Sequence, residues 1–464
     1  MRAWEGNLRV EGMADSKVDD RPLDFSDIVA WLQKGETPAA EWRVGAEHEK
    51  FVFRKSDHAP VPYEGDSGIL ALMEGLKPYG WTDVLEGETL IGLERGMANV
   101  SLEPGGQFEL SGAPLADMHQ IAAETAGHLD EVRAVGDRLG LGFLGLGFTP
   151  EWTRAQVPVM PKGRYRIMRA YMPKVGGLGL DMMFRTCTVQ ANLDFSDEAD
   201  MRLKFRTSLA LQPVVTALFA NSPFIEGRPS GFLTARANVW TDTDPDRTGM
   251  LGFVFEDGFG YETYANYLLD VPMYFVKRDG AYVNLAGRSF RRFMTEGLDE
   301  LPGDRPSLKD FADHVTTAFP EVRLKQYLEM RGADAGPQSM LDALPTLWTG
   351  VLYDRAALEA AWDLCRDWPL ESHERLRADV TRLGLKARIG SRTVQDVARD
   401  LVAIASEGLK RRARTDASGA DERRYLAPLA EIAESGLTQA DRLLEKFHGP
   451  WGGRLDPVWS EAAF

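Results

Sequence analysis

Three features of the sequence predict an α+β fold, a sheet flanked by helices with a helical C-terminal region. Before Leu341, several segments alternate apolar and polar residues, the period of a half-buried strand. Two of these, 100–103 and 107–111, meet at Pro104-Gly105-Gly106, which predicts a hairpin or wide bulge. After Leu341 the apolar spacing turns helical and stays so to the end. With 464 residues, 44% of them hydrophobic, the chain can bury one large domain or two smaller ones.

Residues 25–34 predict a short amphipathic helix with Asp24 as its N-cap. Segment 42–53 predicts a strand. Its Glu47 and Glu49 point the same way, roughly 7 Å apart, and His48 points to the other face, as a core or supporting histidine or else a catalytic one. The letters E-H-E lack the second histidine, one helical turn away, of a metalloprotease. A helix over 67–79 and a short strand over 89–93 lead into 99–112. There Gln107 and Glu109 share one face, Phe108 and Leu110 the other. Carboxylates on one sheet face repel unless a cation lies between them; the plain alternative is a solvated face. A long helix over 116–139 follows. Gly140, Gly142 and Gly145 then spell G-x-G-x-x-G, but after a helix and inside an expected strand over 141–148. A dinucleotide fingerprint follows a strand and opens a helix, so this match is set aside.

Segment 160–169 is basic in an acidic protein. Lys162, Arg164, Arg166 and Arg169 suit a substrate carboxylate or phosphate, or simply a solvated helix start. Segment 183–194 predicts a strand whose Thr186, Thr188, Gln190 and Asn192 line a pocket, with Cys187, Val189 and Ala191 in the core. A helix over 198–220 ends at Asn221-Ser222-Pro223. The turn-rich 231–249 carries Arg236, Trp240, Arg247 and three aspartates, and loops carry function disproportionately. Segments 271–276 and 281–284 predict a hairpin about Asp279-Gly280. One strand over 322–331 would put Glu329 and Arg331 on a shared face. Helices are expected over 341–353, 355–366, 371–383, 393–411 and 421–447, with 410–414 a solvated basic end.

The net charge of −16 argues against nucleic acid or an anionic membrane as partner, so a polyanionic substrate must be met by local arginines or metal ions. The two cysteines, Cys187 and Cys365, exclude a disulfide scaffold and a multi-cysteine zinc site, and fit a reducing cytosol. No apolar run approaches the roughly 20 residues of a membrane span. Residues 1–24 predict a loose tail without the regions of a signal peptide. Together Glu47, Glu49, Glu103, Glu109, Gln190 and Glu329 present oxygen ligands from separate strands, which suits Mg²⁺ or Mn²⁺ rather than zinc. Such ions clamp a triphosphate, and arginines offset charge on a moving phosphoryl group. With no Walker loop and no kinase glycine loop, a nucleotide would be held through metals on the sheet.

Several ordered words give the chain a family likeness: Gly45-Ala-Glu-His-Glu-Lys-Phe, Ser101-Leu-Glu-Pro-Gly-Gly-Gln-Phe-Glu-Leu-Ser-Gly, Met160-Pro-Lys-Gly-Arg-Tyr, Met183-Phe-Arg-Thr-Cys-Thr-Val-Gln-Ala-Asn, Trp240-Thr-Asp-Thr-Asp-Pro-Asp-Arg-Thr-Gly-Met and Tyr327-Leu-Glu-Met-Arg-Gly-Ala-Asp. Over about 42–353 it resembles glutamate–cysteine ligase of the plant-type branch also found in proteobacteria. The resemblance implies a glutamine-synthetase-like antiparallel catalytic sheet, a ligase domain over 25–353 and a helical region over 354–464 packed on it. It implies ATP-dependent joining of the L-glutamate γ-carboxylate to the L-cysteine amine through γ-glutamyl phosphate, the first step of glutathione synthesis. By the same resemblance Glu47, Glu49, Glu103, Glu109, Gln190 and Glu329 hold Mg²⁺ (or Mn²⁺), although enteric-bacterial relatives use a histidine where Gln190 stands. Arg331 and Arg247 are the expected phosphate ligands. Arg236 is expected on the glutamate α-carboxylate, with Arg164, Arg169, Thr188, Asn192 and Trp240 also at the substrates. The regulatory cysteine pair of plant members falls on Leu285 and Glu300, so that thiol switch is expected to be absent. A start too short and acidic for a plastid transit peptide leads to the expectation of a bacterial, cytoplasmic protein, monomer or homodimer, with glutathione as feedback inhibitor. Two alternatives stand beside it: a related carboxylate–amine ligase with another acceptor, and a non-catalytic protein of the same fold, whose mark would be a lost acid or arginine.

Overall fold

A computed structural model describes residues 22–464. Most of the tail expected over 1–24 therefore lies outside the described residues. Asp24 belongs to the first helix, α1 (Phe25–Gln33), which it caps in a reciprocal box with Asp27.

The sheet is built on β1 (Val44–Arg54), an eleven-residue strand buried along nearly its whole length. The other early strands are β2 (Thr82–Glu86), β3 (Thr89–Arg95), β4 (Ala98–Leu102), β5 (Phe108–Ser111), β6 (Leu141–Leu144) and β7 (Thr188–Leu193). A hairpin of β8 (Phe275–Arg278) and β9 (Ala281–Asn284) stands apart, turned by Asp279 and Gly280 at φ of 51° and 77°, as a two-residue turn requires. β10 (Val322–Leu324) and β11 (Leu328–Asp334) complete the main sheet. Nine strands pair antiparallel in the order β10-β11-β7-β1-β5-β4-β3-β2, with β6 alongside the end of β1. The α+β expectation with an antiparallel sheet therefore holds.

Register makes the sheet a site. Glu47 lies opposite Gln190 on β7, Glu49 opposite Glu109 on β5, and Asn192 opposite Glu329 on β11. Directly opposed residues project to the same side, so the acids that alternation puts on one face become neighbours.

The helices are α2 (Ile69–Leu76), α3 (Met118–Leu139), α4 (Gly163–Tyr171), α5 (Gly179–Arg185), α6 (Glu198–Leu218), α7 (Ala235–Val239), α8 (Tyr261–Asp270), α9 (Phe290–Thr295), α10 (Leu308–Val315), α11 (Gln338–Leu352), α12 (Arg355–Cys365), α13 (Leu370–Leu383), α14 (Val394–Arg412), α15 (Ala427–Ser435), α16 (Gln439–His448) and α17 (Val458–Glu461). α11 packs on β7 and β1 and is buried around nearly its whole circumference. It crosses α14 where a Cβ on Gly408 would stand 1.9 Å from the Gly350 carbonyl oxygen, so only glycine fits. One apolar core runs from Ile28 to Trp459 and joins the C-terminal helices to the sheet. No helix among the described residues is long and apolar enough to cross a membrane.

Four boundaries differ from the sequence expectation. Met183, Phe184 and Arg185 close α5 instead of opening a strand. The strand over 141–148 stops at Leu144, yet its glycines do allow close packing: a Cβ on Gly142 would meet the Phe53 ring at 2.4 Å. Segment 421–447 breaks at Gly436, whose φ of 71° ends α15, before Thr438 caps α16. Segment 322–331 folds back at 325–327 into β10 and β11, which places Arg323 opposite Glu329.

Candidate active site

The polar face of the sheet floors a cavity with two unlike ends. At one end stand Glu47, Glu49, Glu103 and Glu109. Each is aimed by a neighbour. Asn192 Nδ2 donates to Glu47 Oε1 at 2.7 Å, the Thr188 amide to Glu49 Oε2 at 2.8 Å, and Ser101 Oγ to Glu109 Oε2 at 2.9 Å. Tyr165 donates to Glu103 Oε1 at 3.4 Å, and Arg164 lies 3.9 Å from the same oxygen. Burial, then the charge of Glu103, pushes the Glu49 carboxyl up to about 8. Burial followed by repulsion from Glu103, Glu47 and Glu49 drives Glu109 well above the carboxylate range. Clustered oxygen donors raised by mutual repulsion fit a hard divalent cation, which would relieve both effects. The four line a wall rather than close on a point: among the described residues, no three His, Cys, Asp or Glu side chains form a group that could hold one ion.

The other end is basic. The fold-back of β10 on β11 puts Arg323 against Glu329 with two bonds, Nε–Oε2 at 2.5 Å and Nη2–Oε1 at 3.0 Å. Lys325 Nζ approaches Glu329 Oε1 at 3.4 Å, and Arg331 Nη1 lies 3.1 Å from Oε2. Burial alone would raise Glu329, but Arg323, Lys325 and Arg331 together hold it far below the usual carboxylate range. The sequence sets one base, Arg331, beside Glu329 and expects Glu329 to hold a metal; the fold-back adds Arg323 and Lys325, so this carboxylate is caged by three cations instead. Arg323 and Lys325 were missed as site residues. Their signal was Arg323 and Glu329 placed symmetrically about Gln326, visible once 325–327 is read as a turn.

Arg331 donates to Gln190 Oε1 at 2.7 Å, which ties that amide to the basic end. Its backbone carbonyl accepts from Arg236 Nη2 at 2.8 Å. This is possible because β11 bulges between Met330 and Ala333. Arg236 is 3% exposed, and its Nε and Nη1 have no partner. The Trp240 indole nitrogen and Arg164 Nε, both on the cavity wall, are likewise buried without an acceptor. Buried donors left unmade are costly, and all three residues line the same cavity.

Three expected site residues lie elsewhere. Arg247 is fully buried: Nε pairs with Asp244 at 2.8 Å, Nη1 donates to the Thr317 carbonyl and hydroxyl at 3.2 Å, Nη2 to the Pro272 carbonyl, and the Tyr274 ring lies 3.7 Å from the guanidinium carbon. No nitrogen remains for a phosphate. Arg169 is exposed on the outer side of α4, in a surface groove with Arg166. Asn192 stands behind Glu47 and does not line the cavity, whereas Thr188 and Trp240 do. His48 faces away, against His128, kept neutral by burial and by Lys50. Both cysteines are free and buried, and burial pushes their thiols up, as packing residues require.

The model of glutamate-cysteine ligase family 2 (GCS2) matches residues 43–461. The chloroplastic glutamate–cysteine ligase of Nicotiana tabacum is 53% identical over 97% of this chain and 85% of its own length. That of Arabidopsis thaliana is 51% identical over the same shares. A crystal structure of glutamate–cysteine ligase from Francisella tularensis in complex with AMP superposes with a TM-score of 0.53 at 10% identity, over 88% of this chain and 85% of that one, a likeness of fold. The chain belongs to glutamate-cysteine ligase family 2. It is a ligase of the first step of glutathione biosynthesis, joining glutamate to cysteine. The expectation of a cytoplasmic protein is overturned by the same relatives, which are named chloroplastic and point to a plastid. That expectation leaned on a start judged too short and too acidic for a transit peptide, which is a weaker guide than the names of relatives about 50% identical.

Proposed function

We propose that the cavity activates the glutamate γ-carboxylate with ATP and then passes the acyl group to the cysteine amine. One observation carries the reading: buried Arg236 keeps two unpartnered donors on a cavity wall that also carries four carboxylates. An amino acid bearing two carboxylates and a polyphosphate fits such a bipolar space, with one anion on the arginines and the other at the acid wall through divalent cations. Arg236 takes the α-carboxylate, its planar fork pairing bidentately, and Trp240 donates its indole N–H alongside. A γ-carboxylate oxygen attacks the γ-phosphorus and ADP leaves. The amine then attacks the acyl carbon of γ-glutamyl phosphate, phosphate departs and a proton is released. The free side of the Arg331 guanidinium offsets charge on the phosphoryl group as it moves. Mg²⁺, or Mn²⁺, would be held by Glu47, Glu49, Glu103 and Glu109 and would neutralise the phosphates of ATP. Arg164 lines the same cavity, 3.9 Å from Glu103, and would meet a substrate anion there.

The test is ADP release and product formation with glutamate alone, cysteine alone and both. Turnover needs both amino acids and a divalent cation, and gives the γ-linked dipeptide. Equal turnover with other amines in place of cysteine would favour the related ligase. No turnover with any amine would sink the reading.

A further inference from the structure

We infer that Arg377 and Glu321, which lie outside the cavity wall, are positioning residues that set glutamate affinity by fixing the segment of Arg236 and Trp240 against the strand of Arg331. Arg377 sits on α13, in the C-terminal helices, 137 positions from Trp240 in sequence. All its nitrogens are engaged: Nη2 donates to the Trp240 carbonyl at 2.7 Å, Nε to Glu321 Oε1 at 2.7 Å, and Nη1 to Glu374 Oε2 at 3.3 Å. Glu321 carries the link onward. Its carbonyl accepts from the Arg331 amide at 3.1 Å and its own amide donates to the Gly249 carbonyl at 3.1 Å. The Arg331 carbonyl accepts from Arg236 Nη2. The chain of contacts therefore closes on itself, from Arg377 to Trp240 and through α7 to Arg236, Arg331 and Glu321, and back.

The same helix holds both ends of the turn-rich segment. The Thr381 carbonyl accepts from the Leu233 and Thr234 amides at 2.8 and 3.2 Å, and Glu374 Oε1 accepts from the Met250 amide at 3.0 Å. α7 is only five residues long, too short to hold its own geometry, so its position is set by its neighbours: Ser222 and Asp334 at its start and α13 alongside. The Arg377 and Glu321 side chains are 12% and 14% exposed, so solvent screens the pair little. At the bulge, the Glu321 carboxylate lies where a Cβ on Gly332 would be 2.6 Å away, which seats it directly behind Arg331. Two anion-binding arginines on separate segments are thus spaced by one ion pair that touches neither substrate.

This inference rests on the assignment of Arg236 to the glutamate α-carboxylate, and the experiment separates the two. Full-length Arg377→Gln, Arg377→Lys, Glu321→Gln and Arg236→Lys are compared in steady-state assays varying glutamate, ATP and cysteine in turn, with thermal melts. Arg377→Gln and Glu321→Gln should raise the KM for glutamate by about tenfold while the KM for ATP stays within about twofold, and the double variant should cost no more than either alone. Arg377→Lys, which keeps the charge but reaches fewer partners, should fall between. If Arg377→Gln fails to fold, the smaller change Glu321→Gln carries the test. A folded variant with unchanged glutamate KM, or an equal rise for all three substrates, would overturn the inference. If Arg236→Lys raises the glutamate KM while the Arg377 and Glu321 variants do not, only this inference falls. If Arg236→Lys also leaves it unchanged, the glutamate assignment falls with it.

Discussion

Replacing Arg331 with lysine separates two roles its position allows, charge stabilisation in the cavity and neutralisation of Glu329. The second role is already filled, because Arg323 binds the Glu329 carboxylate through two bonds at 2.5 and 3.0 Å and Lys325 stands at 3.4 Å. Three cations against one carboxylate leave positive charge in excess at this end of the cavity. Lysine keeps that charge but loses the planar fork, so it cannot bridge Gln190 and Glu329 and still face the substrate. An arginine that stabilises a moving phosphoryl group contributes about 10³–10⁵ in rate, roughly 4–7 kcal/mol. Losing the fork while keeping the charge should forfeit about half of that free energy, so kcat falls by about 10²-fold. Stability should hardly change, because Glu329 keeps two partners. The assay is phosphate release with both amino acids saturating, beside a thermal melt. Near-normal turnover in a folded Arg331→Lys protein would make Arg331 a structural partner. The phosphate role would then pass to Lys325, since Arg247 has no nitrogen to spare.

Arg247→Met leaves Asp244 buried without its partner, and breaking a buried pair costs about 3–5 kcal/mol. The urea midpoint should drop sharply with no selective change in the KM for ATP; an unchanged midpoint with a raised ATP KM would restore Arg247 to the site. Asp342 is 6% exposed with Oδ1 unpartnered, and burial pushes its carboxyl up to about 7. Its folded value lies above the unfolded value of about 3.9, so the folded state binds the extra proton between them and stability falls as pH rises through that window. Asp342→Asn should therefore raise the melting temperature at pH 8 and much less at pH 5, whereas a gain independent of pH would contradict this assignment.

Alternation is a local property, and it alone determined that Glu47 and Glu49, Thr188 and Gln190, and Gln107 and Glu109 each share a strand face, because successive side chains on any strand point to opposite sides. Burial of Cys187 on the apolar face followed from the same rule. Ordered words such as Gly45-Ala-Glu-His-Glu-Lys-Phe gave the family, which the family-model match over 43–461 bears out. Which strands are neighbours was decided only in three dimensions: Glu49 meets Glu109 across a gap of 60 residues because β5 pairs with β1 in that register. The turn at 325–327 then added Arg323 to the Arg331 already expected beside Glu329, and caged that acid. The arginines show the limit most plainly. Arg236 and Arg247 share one turn-rich segment and one chemistry, yet Arg236 keeps free donors while Arg247 spends all of its own on Asp244, Thr317 and Pro272. A guanidinium binds whatever acceptors the fold brings to it: Asp244 is a local partner of Arg247, but Pro272 and Thr317 come from chain 25 and 70 positions away, where no local pattern reaches.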